Sequence, residues 1–98
     1  PPSGAVLKAP TPKLRWPSVA GATYYNVQIH VRGRKVLSTW PTTTNFQVKA
    51  AWRVNGKRYE LPRGVKIRWY VWPATGSVAT PKFGTLIGTS TFSVKKKR

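Results

Sequence analysis

The stretch that decides the fold is YYNVQIHV, residues 24–31, in which two sets of side chains alternate. Successive side chains of a β-strand point to opposite faces of the sheet, so this stretch has two distinct faces. One face carries Tyr25, Val27, Ile29 and Val31, and the other carries Tyr24, Asn26, Gln28 and His30. The alternation predicts a strand that buries the first set and turns the second set outward.

The same pattern continues outward from this strand in short segments. Residues 65–72 alternate again, and the inward set is predicted to be Val65, Ile67, Trp69 and Val71. Glycine and proline interrupt the chain at short intervals, and no window has apolar residues at helical spacing over three turns. Asn55-Gly56 predicts a hairpin, because both central residues of the favoured two-residue turn need a positive φ.

These segments predict an all-β fold, namely a two-sheet antiparallel sandwich of about seven strands plus an extra hairpin near Asn55-Gly56. Residues 1–94 would form this one domain, and residues 95–98 a basic tail. Candidate core anchors are the large aromatic residues Trp16, Tyr25, Trp69 and Phe92.

Several motifs, in order along the chain, resemble those of fibronectin type III domains. They are Leu14-Arg15-Trp16-Pro17, GATYYNVQI at 21–29, LPRGVKI at 61–67, RWYVWP at 68–73, and the closing segment from Phe83-Gly84 to Thr91-Phe92. In that family a core tryptophan precedes a Tyr-x-Val strand, and a Leu-x-Pro-Gly segment leads to the tyrosine corner. The chain looks most like modules of this family from bacterial extracellular proteins.

The resemblance implies an immunoglobulin-like sandwich, an extracellular parent protein, and a role in spacing, adhesion or protein binding. One position departs from the family pattern, because the corner tyrosine falls at Ile67 here. Isoleucine has no hydroxyl to bond back to the backbone, so that hydrogen bond is absent or replaced.

The sequence has few residues suited to catalysis. Glu60 is the single acidic residue, His30 is the single histidine, and cysteine is absent. Paired carboxylates are therefore impossible, and a Ser-His-acid triad would need His30 and Glu60 to meet. One histidine and one glutamate do not make a usual metal ligand set, and no glycine-rich loop precedes a helix. We predict a protein that is not an enzyme and has no cofactor and no metal site.

The dominant feature of the composition is its charge. Eighteen Lys and Arg residues face one acid, which gives a net charge of +17. Such a surface strongly favours association with anions. Two origins are open: a natural nucleic-acid binder, which concentrates its cations on one face, and an engineered, supercharged variant of a natural domain, in which every tolerant surface position is basic. The near absence of acids favours the supercharged variant.

The basic residues are unevenly spread, which predicts a strongly basic pole and a nearly neutral pole. Residues 16–31 and 36–48 carry no Lys, Arg, Asp or Glu, and residues 69–94 carry only Lys82. The predicted polyanion-binding residues are Arg32, Arg34, Lys35, Arg53, Lys57, Arg58, Arg63, Lys95, Lys96, Lys97 and Arg98. We expect electrostatic, sequence-independent binding of nucleic acid, a sulfated glycan or an anionic protein. Glu60 would either pair with Arg58 or Arg63 or be an ordinary surface residue.

An alternative function uses the uncharged loops 17–23, 41–45 and 73–83, which the family fold places at one end. They would bind a protein or glycan, or the domain would serve as a spacer, and the charge would then serve solubility only. The candidate residues of this site are Trp40, Trp72, Thr75 and Lys82. The simpler interpretation of each tryptophan is that it caps the core.

Segments that would direct the chain to a membrane are not recognisable. No run of 18 apolar residues predicts a membrane span, and no basic-then-apolar signal peptide is present. We expect a monomer. The tail KKKR, residues 95–98, resembles a short localisation signal, and the simpler interpretation is a disordered extension that adds charge.

Overall fold

The structure, a computed structural model, describes residues 4–76, 81–84 and 86–96. It contains ten strands. They are β1 (Ala5–Leu7), β2 (Lys13–Arg15), β3 (Tyr24–Val31), β4 (Arg34–Thr39), β5 (Asn45–Gln47), β6 (Trp52–Val54), β7 (Lys57–Tyr59), β8 (Lys66–Gly76), β9 (Pro81–Phe83) and β10 (Gly88–Val94). The chain is therefore all-β, and the described residues form no helix. In particular, this part of the chain contains no helix that is long and apolar enough to cross a membrane.

Most strands belong to one six-stranded sheet in the order β1-β10-β8-β3-β4, with β9 pairing with β8 as well. The first pair, β1 with β10, is parallel, and the other pairs of this sheet are antiparallel. Two smaller antiparallel sheets consist of β2 with β5 and of β6 with β7. The described residues therefore form more strands than the seven strands and one hairpin that the sequence predicts.

The core is one apolar cluster that joins the six-stranded sheet to the β2–β5 pair. Its fully buried members include Leu14 of β2, Ile29 of β3 and Ile67 of β8. All four predicted anchors are buried in it: Trp16, Tyr25, Trp69 and Phe92. Tyr25 lies edge-on to Trp16, with 5.6 Å between ring centroids, and its hydroxyl accepts a hydrogen bond from the Val19 backbone N–H at 3.0 Å.

The burial predicted for the inner face of β3 is confirmed, and the exposure predicted for its outer face is wrong for two residues. Val27 and Ile29 are fully buried, as predicted. Tyr24 and Asn26, predicted to point outward, are buried as well. The ring of Trp40 packs edge-on to Tyr24 at 5.8 Å and so covers this end of the outer face.

The segment 73–83, predicted to be a loop, is largely a hairpin. Pro73–Gly76 are the last residues of β8, and Pro81–Phe83 form β9 beside them, with Ala74 opposite Phe83. Residues 77–80 lie outside the described residues. Proline usually ends a strand because it lacks an N–H. Here Pro73 remains within β8, and its carbonyl accepts a hydrogen bond from Gly84 N at 2.9 Å.

The turn predicted at Asn55-Gly56 is confirmed. Both residues have positive φ, 52° and 80°, and they connect β6 to β7. A second turn of the same kind connects β3 to β4 at Arg32 and Gly33, with φ values of 53° and 76°. A positive φ is uncommon for a non-glycine residue, so the tight turn between β3 and β4 holds the backbone of Arg32 in an unusual conformation.

Candidate functional site

The register of the strands collects several cations at one end of the six-stranded sheet. β3 ends at Val31, which lies opposite Arg34 at the start of β4 and opposite Ile67 near the start of β8. Leu7 at the end of β1 lies opposite Val94 at the end of β10. We call this end the basic end, and its cations are Lys8, Arg32, Arg34, Lys35, Arg63, Lys66, Lys95 and Lys96.

Arg63 connects three segments at the basic end. Its Nη1 donates hydrogen bonds to the Lys95 carbonyl at 2.8 Å and to the Lys8 carbonyl at 3.3 Å. The backbone N–H of Lys95 in turn donates to the Leu7 carbonyl at 2.7 Å. Three of the cations are therefore held together although they are far apart in sequence.

A groove of about 410 Å³ opens beside these residues on the six-stranded sheet. We call it the basic groove. Its lining consists of His30, Arg32, Gly33, Val65, Lys66, Arg68 and Tyr70. Three of these side chains are cations and none is an acid. Lys66 also lines a neighbouring hollow of about 480 Å³, together with Lys95 and Lys96.

His30, predicted to point outward, is half-buried in the wall of the basic groove. Its register neighbours are Lys35 of β4 and Arg68 of β8. Burial, and then the charge of Lys35, lower the pKa of His30 below its ordinary value of 6.5. The imidazole is therefore neutral at pH 7, and the charge of the groove comes from its lysine and arginines.

The predicted cations Arg53, Lys57 and Arg58 lie on a separate sheet. Arg53 and Arg58 are opposite one another across the β6–β7 hairpin. Arg58 forms an exposed ion pair with Glu60, 3.0 Å between Nη1 and Oε2, which confirms one of the two predicted pairings of Glu60. Lys57 places its ammonium 5.3 Å from the ring centroid of Tyr59. The structure thus divides the predicted cations into the basic end and this hairpin, while Lys97 and Arg98 lie outside the described residues.

The other end of the sheet brings the predicted uncharged segments near one another. The Tyr25 N–H donates to the Pro41 carbonyl at 2.9 Å, and the Trp16 N–H donates to the Thr44 carbonyl at 3.1 Å. A hollow of about 350 Å³ is lined by residues 19–22, 73–75 and 82–84. Thr75 and Lys82, both predicted for the alternative site, are cross-strand neighbours at its rim.

Trp40 and Trp72 do not cap the core, because the core cluster includes neither of them. Trp40 stacks on Phe83, with 5.8 Å between ring centroids, and Trp72 stacks on Tyr70 at 5.6 Å. These rings, like that of Tyr24, lie on the side of the six-stranded sheet opposite the core. Phe83 is 53% exposed, and Tyr70 and Trp72 are half-buried.

Tyr70, Phe83 and Arg68 are site residues that were not predicted from the sequence. A signal for two of them was present, because Arg68 and Tyr70 alternate with the buried Ile67, Trp69 and Val71 and must face the opposite side of the strand. The contribution of Phe83 depends on the pairing of β9 with β8, which carried no local signal.

Comparison of this chain with protein-family models, with curated proteins and with solved structures finds no match.

Proposed function

We propose that this protein is a non-catalytic, highly cationic binding module that associates electrostatically with polyanions through its basic end. The observation that carries the proposal is the basic groove, in which Arg32, Lys66 and Arg68 line one concave surface with no acidic neighbour. A groove lined by one sign of charge concentrates oppositely charged ligands and speeds their association. Nucleic acid, a sulfated glycan and an anionic protein all present the chemistry that this surface would bind.

Binding of this kind is expected to depend steeply on salt. Each phosphate of duplex DNA that a protein neutralises contributes about −0.9 to the slope of log K against log salt concentration. Contact with about five phosphates would give a slope of about −4 to −5. The test is titration of duplex DNA, a heparin fragment and an acidic protein from low salt to about 0.5 M.

Two exposed lysines make a matched pair for this test. Lys66, at the start of β8, lines both hollows at the basic end, whereas Lys82 of β9 lies at the opposite end of the sheet. Both substitutions to glutamine remove one charge, but only Lys66→Gln should reduce the DNA salt slope, by about 0.9. Equal effects of the two substitutions would contradict binding through the basic end.

We also propose that the fold is that of a fibronectin type III-like sandwich, and that the excess of cations marks a supercharged variant. Supporting the first point, β10-β8-β3-β4 are consecutive in one sheet and β2 pairs with β5 in another, which is the division expected of a two-sheet sandwich. An experimental structure that shows these two sheets face to face would test it. The family context would make the parent protein extracellular.

A second candidate function is supported by the hollow between residues 19–22 and 73–75. Its walls include exposed Val19 and Phe83 and one cation, Lys82, so it offers an apolar site for a protein or glycan. Binding there would survive high salt and be lost on Phe83→Ala. Binding that moderate salt abolishes would count against this candidate.

A further inference from the structure

Two aromatic rings beside the basic groove are stacked on one another, and we call this pair the aromatic platform. Tyr70 and Trp72 are two residues apart on β8, so both project from the same side of the strand. Their ring planes are inclined by only 15°, with 5.6 Å between centroids. Each is half-buried, so part of the platform is open to solvent.

A row of polar side chains on the neighbouring strand β3 lies beside this platform. Asn26 lies opposite Trp72 in the register, and Gln28 lies opposite Tyr70. Gln28 Nε2 donates to Asn26 Oδ1 at 2.7 Å, and Gln28 Oε1 lies 3.1 Å from His30 Nε2. The amide of Asn26 also donates to Ser38 Oγ at 2.9 Å. The row is held by hydrogen bonds within itself, which leaves it little capacity to read a ligand by hydrogen bonds.

The platform joins the basic groove to an apolar hollow. Tyr70 lines the basic groove together with Arg32, Lys66 and Arg68. Trp72 lines a shallow hollow of about 300 Å³ with Gln28, Phe83 and Gly84. A ligand that lies along this track meets cations first, then two stacked rings, then the exposed ring of Phe83.

We infer that this track binds single-stranded nucleic acid, with bases packed against the exposed parts of the Tyr70–Trp72 pair and backbone phosphates in the basic groove. The inference rests on the proposed polyanion binding and adds the class of polyanion. Positively charged grooves combined with aromatic stacking surfaces are how proteins bind single strands without sequence preference. A duplex hides the faces of its bases, and sulfated glycans and acidic proteins do not offer a series of planar aromatic rings.

The test compares three ligands on the intact chain at about 0.1 M salt: an oligothymidylate of about 15 nucleotides, a duplex of equal length, and a heparin fragment. Trp72→Leu and Tyr70→Leu remove the rings, and Trp72→Phe and Tyr70→Phe are the matched controls that keep a ring. Each leucine variant should weaken oligothymidylate binding about tenfold and each phenylalanine variant much less. Heparin binding should change little in all four, and circular dichroism would verify that each variant is folded.

The outcomes separate the two proposals. Failure of all three ligands to bind at low salt would overturn the proposed function itself. Salt-dependent binding in which the duplex or heparin binds as tightly as oligothymidylate, with no difference between the leucine and phenylalanine variants, would leave the proposed function standing and overturn the stacking inference.

Discussion

The indole N–H of Trp52 donates a hydrogen bond to the backbone carbonyl of Val36, 2.9 Å away, and thereby ties the β6–β7 hairpin to β4. The hairpin is a separate two-stranded sheet, and Trp52 also stacks on Tyr59 within it and packs against the core. An isolated two-stranded hairpin is marginally stable at best, so this attachment helps to fix the position of Arg53 and Arg58.

Trp52→Phe is expected to loosen the hairpin and to disturb the core less, because Trp52 is only partly buried against it. The substitution keeps a ring beside Tyr59 but removes the bond to Val36, which should lower the free energy of unfolding by about 1 kcal/mol. Hydrogen exchange of the backbone amides in residues 52–59 should accelerate, while exchange in β3 remains slow. Unchanged exchange in the hairpin would show that other contacts hold it.

Stability is expected to fall as the pH drops through the titration of His30. Its pKa in the folded protein lies below the ordinary value of 6.5, because burial and Lys35 disfavour the imidazolium, and Arg68 lies opposite it on the other side. The unfolded chain therefore binds this proton first, so the stabilisation is present above about pH 6.5 and is lost as the pH falls through the folded-state pKa.

Urea unfolding measured between about pH 7.5 and 5 would test this expectation. In His30→Gln the pH dependence over that range should largely disappear. Lys35→Gln, which removes the second cause of the shift, should reduce the dependence without abolishing it. A native chain whose unfolding midpoint is constant over this range would contradict the predicted shift.

Two serine-to-alanine substitutions are expected to have opposite effects. Ser90 Oγ is buried and has no hydrogen-bond partner in the part of the chain that the structure describes, so Ser90→Ala should stabilise the protein by about 1 kcal/mol. Ser38 Oγ accepts a hydrogen bond from the amide of Asn26, which is 1% exposed. Ser38→Ala should therefore destabilise the protein by about 1 kcal/mol. Denaturant unfolding of both variants measures the sign of each effect, and two changes of the same sign would refute the assignment.

Gly64→Ala is expected to be more damaging than Gly88→Ala. Gly64 has a φ of +76°, and a Cβ there would collide with the side chain of Lys96. A left-handed conformation costs a non-glycine residue about 1–2 kcal/mol. A Cβ at Gly88 meets no atom within 4 Å, so alanine there should change the unfolding midpoint little. Comparable midpoints for the two variants would argue against the described geometry of Gly64.

The inner face of the fold could be predicted from the sequence because it depends on local periodicity. The alternation around Val27 and Ile67 predicted the buried residues correctly. The pair Asn55-Gly56 predicted a turn whose two central residues need positive φ, and both have it. The burial of Tyr24 could not be predicted in this way, because Trp40 covers it from a different segment. The sequence predicts a loop from Pro73 onward, but the pairing of β8 with β3 and the hydrogen bond from Gly84 keep Pro73 within the strand.

The positive charge of the candidate site could be predicted from the sequence, but the grouping of its residues could not. The abundance of cations indicated an anion-binding surface, but their grouping depends on which strands end at the same edge. That is why Arg63, Lys8 and Lys95 meet although the chain between them is long. The contribution of Tyr70 required knowing that the side of β8 away from the core also faces the groove.

The concentration of cations at one end also makes the charge distribution asymmetric, so the molecule orients in an electric field. In the proposed binding, an approaching polyanion would exert a torque that turns the basic end toward it before contact, so charge would govern orientation and capture. The stacked rings would act only after contact. Substitution of Lys66 should therefore slow association, whereas loss of Trp72 should shorten the lifetime of the complex. The two halves of the surface would thus control separate kinetic phases of one encounter.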